Sequence, residues 1–221
     1  TVTLSSASQS SVSVDFVTAP ITATAGVDYL TVFDTLVFSP GQTQRTISVL
    51  VNGDLIREPN ETFEVQLTNA SGAVILDDRA TGTILDNDPL PTISIAGTSV
   101  NEGNIGTSLL PFNVSLSNPS STPVTVQFAT VAGTALGGVD FQANSGTVTF
   151  APGQVQQTIV VNVIGDLRDE LDETVFVQLS NPSGGTLADS GQAFGTIVDD
   201  DPTPTVSIND VSRFEGDFGA T

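Results

Sequence analysis

Glu173-Thr174-Val175-Phe176-Val177-Gln178-Leu179 sets apolar residues at every second position, and Glu61-Thr62-Phe63-Glu64-Val65-Gln66-Leu67 has the same form 112 positions earlier, as 61 and 173 are. Period two is the signature of a strand with one buried face. The spacing extends outward in both directions. Gly26-Val27-Asp28-Tyr29 returns as Gly138-Val139-Asp140-Phe141, and Ser39-Pro40-Gly41-Gln42 as Ala151-Pro152-Gly153-Gln154. Towards the C-terminus Asp86-Asn87-Asp88-Pro89 returns as Asp199-Asp200-Asp201-Pro202, now 113 positions on. Pro204-Thr205-Val206-Ser207-Ile208 then echoes Pro91-Thr92-Ile93-Ser94-Ile95 and starts a third copy. A period of this length marks a tandem array, and each unit is read on its own.

Within the unit, alternation recurs in Val124-Thr125-Val126-Gln127-Phe128, Thr147-Val148-Thr149-Phe150 and Thr158-Ile159-Val160-Val161-Asn162-Val163. Between these runs stand Asn118-Pro119, Pro152-Gly153 and Asn181-Pro182-Ser183-Gly184-Gly185, whose residues adopt the backbone angles of tight turns. No stretch has helical periodicity. About seven strands per unit, joined by short links, predict an all-β chain of tandem immunoglobulin-like antiparallel β-sandwiches.

Thr1-Val2-Thr3-Leu4 aligns with Asn113-Val114-Ser115-Leu116, inside a unit and not at its edge. Residues 1–90 therefore read as a repeat without its first strand, 91–203 as a complete repeat, and 204–221 as the first strand of a further one. The joints Asp88-Pro89-Leu90-Pro91 and Asp201-Pro202-Thr203-Pro204 are short and stiffened by proline, which predicts a rod. A sandwich without its first strand presents an edge that a strand from elsewhere can fill. Two arrangements follow: residues 204–221 complete the first repeat of the next copy, end to end, or the 221 residues are two repeats of one longer array.

Composition narrows the chemistry. There is no Cys, His, Met or Trp, which excludes disulfides, His-dependent triads, thiol nucleophiles and zinc or haem ligation by those residues. The net charge is −20, from 25 acidic residues against 5 basic ones. Such a field repels nucleic acid and anionic membrane surfaces and favours cations. No apolar run approaches the roughly 18 residues of a membrane helix, so membrane insertion is not expected. Residues 1–20 have none of the regions of a signal peptide, so an export signal, if present, lies outside them.

In the complete repeat the acids gather at Glu102, Asp140, Asp166, Asp169, Glu170, Asp172, Glu173 and Asp199-Asp200-Asp201, with Arg168 the one base nearby. If the strands bring these loops to one tip, mutual repulsion costs several kcal/mol unless a hard cation binds. Calcium suits a flexible, all-oxygen set better than magnesium, which demands octahedral order and retains water. The acids also keep register between the two copies, which plain surface charge has no reason to do. Asp15, Asp34, Asp77 and Asp189 have no acidic counterpart and read as surface charge.

The unit resembles the Calx-beta domain, a calcium-binding sandwich known from sodium/calcium exchangers, integrin beta-4 and many bacterial surface proteins. The resemblance rests on Asn101-Glu102-Gly103, Asp140-Phe141, Phe150-Ala151-Pro152-Gly153-Gln154, Ile164-Gly165-Asp166, Asp172-Glu173-Thr174, Leu179-Ser180-Asn181 and Gly195-Thr196-Ile197-Val198-Asp199-Asp200-Asp201. It implies calcium ligation by Glu102, Asp140, Asp166, Glu170, Glu173, Asp199, Asp200 and Asp201, and in the first repeat by Asp28, Asp54, Glu58, Glu61, Asp86 and Asp88. Glu215 is the remaining counterpart of Glu102. Gly53 and Gly165 stand where strongly binding members have another Asp, and Asn87 replaces the middle Asp of a triplet, which implies fewer ions or weaker binding.

The expected function is a non-enzymatic, calcium-rigidified repeat of an extracellular surface fibre or adhesin. A calcium-sensing regulatory module and a cadherin-like adhesion domain are the alternatives. A glycosidase is disfavoured, because with Tyr29 the single Tyr and no Trp there is no sugar platform.

Overall fold

The structure is a computed structural model and describes residues 1–214. In the second repeat, β7 (Thr92–Ala96), β9 (Gly106–Leu116), β12 (Gln156–Gly165) and β14 (Thr186–Leu187) form one sheet in the order β12-β9-β7-β14. Facing it, β8 (Ser99–Asn101), β10 (Val124–Ala132), β11 (Ser145–Phe150), β13 (Glu173–Ser183) and β15 (Gln192–Val198) form a second, ordered β11-β10-β13-β15-β8. Alternate residues from both sheets meet in one core that includes Leu110, Phe112, Val126, Phe150, Val161, Val175 and Val177. This is the sandwich that the alternation predicts.

The pairing departs from all-antiparallel at two places. The opening strand divides: β7 runs parallel to β14, then the chain crosses at Gly97 and β8 runs parallel to β15. Glycine is required at the crossing, because a Cβ there would collide with the Phe194 carbonyl. One split strand thus closes both sheets, and its second half ends beside the last strand.

The first repeat has β2 (Val12–Pro20), β3 (Phe33–Phe38), β5 (Glu61–Ser71) and β6 (Arg79–Ile84) in a sheet ordered β3-β2-β5-β6. The opposite layer is a two-residue pairing of β1 (Val2–Thr3) with β4 (Gln44–Arg45). Val12, Val14, Phe16, Leu36 and Phe38 are buried, while Leu50, Val74 and Leu76 are exposed. A groove of about 790 Å³ opens between the layers, lined by Val14, Phe38, Ile47, Val65, Leu67 and Ile75 among others. Residues 204–214 have no strand pairing in this chain, and Val206, Ile208, Val211 and Phe214 are almost fully exposed. Glu215 and the rest of the third copy lie outside the described residues.

The joint between repeats is braced. Asn118 Nδ2 donates to the Pro89 carbonyl at 3.0 Å, within the proline-bounded link. The Arg57 N–H donates to the Pro119 carbonyl and the Ser121 N–H to the Arg57 carbonyl, each at 3.0 Å. A loop of repeat one is therefore edge-bonded to the β9–β10 turn of repeat two.

Candidate metal centre

Strand register builds the acidic tip of repeat two. β8 pairs with β15 so that Asn101 sits opposite Val198, and the Glu102 N–H donates to the Val198 carbonyl at 3.1 Å. Glu102 and Asp199 consequently leave their strands together. Glu173 opens β13 opposite Ile197, two residues before Asp199 at the same strand end. Asp166 follows the last residue of β12, where Gly165 pairs with Gly106. A Cβ at 165 would collide with the Gly103 carbonyl, so no side chain can stand where the resemblance allows another Asp.

Asp140 comes from a turn and not from a strand. Gly138, at φ 85°, permits a left-handed step; its N–H bonds the Phe141 carbonyl at 2.7 Å, and the buried Phe141 ring anchors the turn. The Asp140 carboxylate then accepts the Leu136 N–H at 2.7 Å. Repeat one reproduces the device: Gly26 at φ 85°, buried Tyr29, and the Asp28 carboxylate accepting the Thr24 N–H at 2.6 Å.

Three acidic trios result, each with oxygens within 4.8 Å of one another: Glu102, Asp199 and Asp201; Asp140, Glu170 and Glu173; and, in repeat one, Asp28, Glu58 and Glu61. Glu102 is 6% exposed, Asp140 and Asp201 each 8%. Burial pushes the Glu102 carboxyl up to about 7, and the charges of Asp166, Asp199, Glu170 and Asp201 add to the rise. Glu173 rises to about 7 through burial, then through Asp140 and Glu170. Burial and Asp28 likewise raise Glu61 to about 7. Asp201 is raised by burial first, and Glu58 by burial and then Asp54, Asp28 and Asp88.

The remaining expected ligands differ in their surroundings. Asp166 and Asp54 face the trios but each caps a local turn, accepting the N–H two residues on at 2.7 Å. Asp88 faces Glu58. Asp200, between two trio members, turns away and accepts the Gly103 N–H at 3.0 Å. Asp86 is ion-paired to Arg57. Arg168 reaches Glu170 at 2.9 Å but is largely exposed. Asp15, read as surface charge, bonds Thr35 and Asn69 far from the trios.

Asp172, one of the gathered acids though not among the ligands that the resemblance implies, accepts the Asp199 N–H at 3.2 Å. Two participants escaped the sequence reading: Asn104 donates to Asp201 at 2.5 Å, and Arg57 pairs Asp86. Arg57 alone was signalled in sequence, since it stands where repeat two has Asp169.

The trio of Glu102, Asp199 and Asp201 fits a divalent cation on a direct structural observation. Glu102 Oε1, Asp199 Oδ1 and Asp201 Oδ2 are buried yet have no hydrogen-bond partner among the described residues. An orphaned buried carboxylate oxygen is costly, and three converging ones are relieved by a proton or by a bound cation. An all-carboxylate, chain-flexible donor set is the kind that calcium accepts.

Comparison with known proteins places the chain. The model of the Calx-beta domain matches residues 1–88 and 94–201. Over 191 residues the chain is 35% identical to sodium/calcium exchanger 1 of Canis lupus familiaris, covering 76% of this chain and 19% of that protein. Over 204 residues it is 30% identical to adhesion G-protein coupled receptor V1 of Danio rerio, covering 88% of this chain and 3% of that protein. The chain thus spans about a fifth or less of the relatives it matches. Among solved structures, the apo form of the Calx CBD1 domain aligns with TM-score 0.46 and 31% identity, covering 51% of this chain and all of that one. With the family model matched over both repeats, the chain belongs to the Calx-beta domain family.

Proposed function

We propose that the chain is a non-enzymatic calcium-binding tandem module, an elongated structural repeat of an extracellular fibre or adhesin. The observation that carries the calcium part is the set of partnerless, buried oxygens on Glu102, Asp199 and Asp201. A bound ion supplies the positive charge that lets these strand ends sit together. Glu102, Asp199 and Asp201 would hold one ion, Asp140, Glu170 and Glu173 a second, and Asp28, Glu58 and Glu61 a third. Calorimetric titration with calcium, and with magnesium as control, tests this: several calcium ions bind per chain and magnesium competes poorly. A chain indifferent to calcium would overturn it.

End-to-end linkage belongs to the same reading. Residues 204–208 repeat the sequence of β7, and among the described residues no strand of repeat one takes the place of β7 and β8. A strand of that sequence fits there, from the next copy or, in one longer array, from the residues before Thr1, its apolar side chains entering a groove lined by Val14, Phe38 and Leu67. Sedimentation should show association that Val206→Asp with Ile208→Asp abolishes; a chain monomeric at all concentrations removes the linkage and leaves the calcium sites standing.

A regulatory reading is favoured by one observation: the Asp54–Glu58 loop that serves the first trio also bonds the turn of repeat two. Under it, calcium changes the mean angle between repeats, whereas under the structural reading it narrows the spread about one angle.

A further inference from the structure

The two repeats do not neutralise their tips alike. Repeat two has two acidic trios, and repeat one has a single trio among the described residues. Asp86 and Asp88 stand where repeat two has Asp199 and Asp201; the counterpart of Glu102 would precede Thr1, so the comparison is confined to the positions of Arg57, Asn60, Asp86 and Asp88. The guanidinium of Arg57 pairs with Asp86, whose side chain is 6% exposed. The same guanidinium donates to the Glu58 carbonyl at 2.6 Å. Repeat two has Asp169 at the position of Arg57 and Asp172 at that of Asn60, so three units of positive charge separate these loops at the two positions. Asn60 also donates nothing to Asp86 as a charge: its Oδ1 accepts the Asp86 N–H at 3.1 Å, as Asp172 accepts that of Asp199.

From this we infer that Arg57 is a built-in cation, occupying in repeat one the place where Glu102, Asp199 and Asp201 hold a metal ion in repeat two. The inference rests on the calcium reading above and specifies where that reading stops. Arg57, Asn60, Asp86 and Asn87 are all internal positions, so the pairing is independent of what precedes Thr1. Arginine suits the task because it stays charged at any physiological pH and pairs carboxylates in a fixed geometry.

Arg57 has a second attachment. Its N–H and carbonyl both bond the Pro119–Ser121 turn, and Ser120 Oγ reaches the same carbonyl at 3.3 Å. Ser120 is buried at the joint. The residue that neutralises Asp86 therefore also fastens repeat two, and this fastening needs no metal. At the far tip of repeat two the equivalent position is an aspartate, so there the strand ends depend on a cation from solution.

Paired substitutions test the assignment by ion count. Asp199→Asn should lower calorimetric calcium stoichiometry by one, whereas Asp86→Asn should leave it unchanged because Asp86 is already paired. Loss of one ion in both variants would overturn the assignment. Arg57→Asp, which restores the residue of repeat two, should add one ion, and an unchanged count in a variant folded by circular dichroism would also overturn it. Should Arg57→Asp fail to fold, Arg57→Gln serves: its melting temperature should fall in chelator and recover in calcium beyond the wild-type response, and an equal fall in both media counts against the inference. If wild type binds no calcium the broader reading fails, whereas wild-type binding with Asp86→Asn and Asp199→Asn behaving alike sinks this inference alone.

Discussion

Glu102 and Glu173, at about 7, make the metal-free chain respond to pH in a direction opposite to most acidic proteins. Their ordinary value is 4.5, so between the two values the folded chain holds protons that the unfolded chain has released. Their contribution to stability is fully present below the unfolded value and is lost as pH rises through about 7. Asp15 and Glu64 are lowered by hydrogen bonds, from Thr35 and Gln66 respectively, and act the other way at lower pH. In chelator the melting temperature should therefore be higher at pH 5 than at pH 8, and Glu102→Gln should flatten the difference. A melting temperature that rises across that interval would contradict the burial of these groups. With calcium the order reverses, since ions bind the ionised carboxylates, and affinity measured by calorimetry should climb as pH passes through about 7.

Apolar residues of the two repeats differ in their surroundings. Leu110 on β9 is fully buried between complete sheets, and Leu110→Ala should cost about 2–5 kcal/mol by denaturant unfolding. Leu76 in repeat one is fully exposed beside the groove, and Leu76→Ala should change stability by less than about 0.5 kcal/mol. Leu76 lies in the loop between β5 and β6, so the contrast follows from its place outside the strands, whereas Leu110 stands on the inward face of β9. Gly165 makes a related point: Gly165→Ala has no space against the Gly103 carbonyl and should loosen the Glu102 loop, lowering both melting temperature and calcium affinity. In sequence it read as a missing ligand; in the fold it is the point where the end of β12 lies against the Glu102–Gly103 backbone.

For the whole molecule, calcium acts at sandwich tips, and one tip is the joint. Dissociation constants on the order of 10–100 µM against millimolar calcium give about 1.4–2.7 kcal/mol of stabilisation per site. Chelation should lower the melting temperature of both repeats, more in repeat two with its two trios. Small-angle scattering should show the joint less affected than the tip beyond Val198, because Arg57 and Asn118 brace it through hydrogen bonds that need no ion. A joint that becomes freely flexible in chelator would show that these bonds do not suffice.

The sequence by itself determined the repeat, the all-β class and the acids that gather, because period-two burial and turn residues are local properties and matched positions expose a shared constraint. Which acids meet was decided only by tertiary structure. Asp199, Asp200 and Asp201 are identical letters in a row, yet the parallel pairing of β8 with β15 sends two of them into a trio and turns Asp200 back to the Gly103 N–H. Arg57 is an ordinary surface arginine by composition, and it becomes a counter-ion because β5 and β6 deliver Asp86 beside it. Side-chain partnerships depend on strand register across distant segments, and register is a property of the assembled sheets.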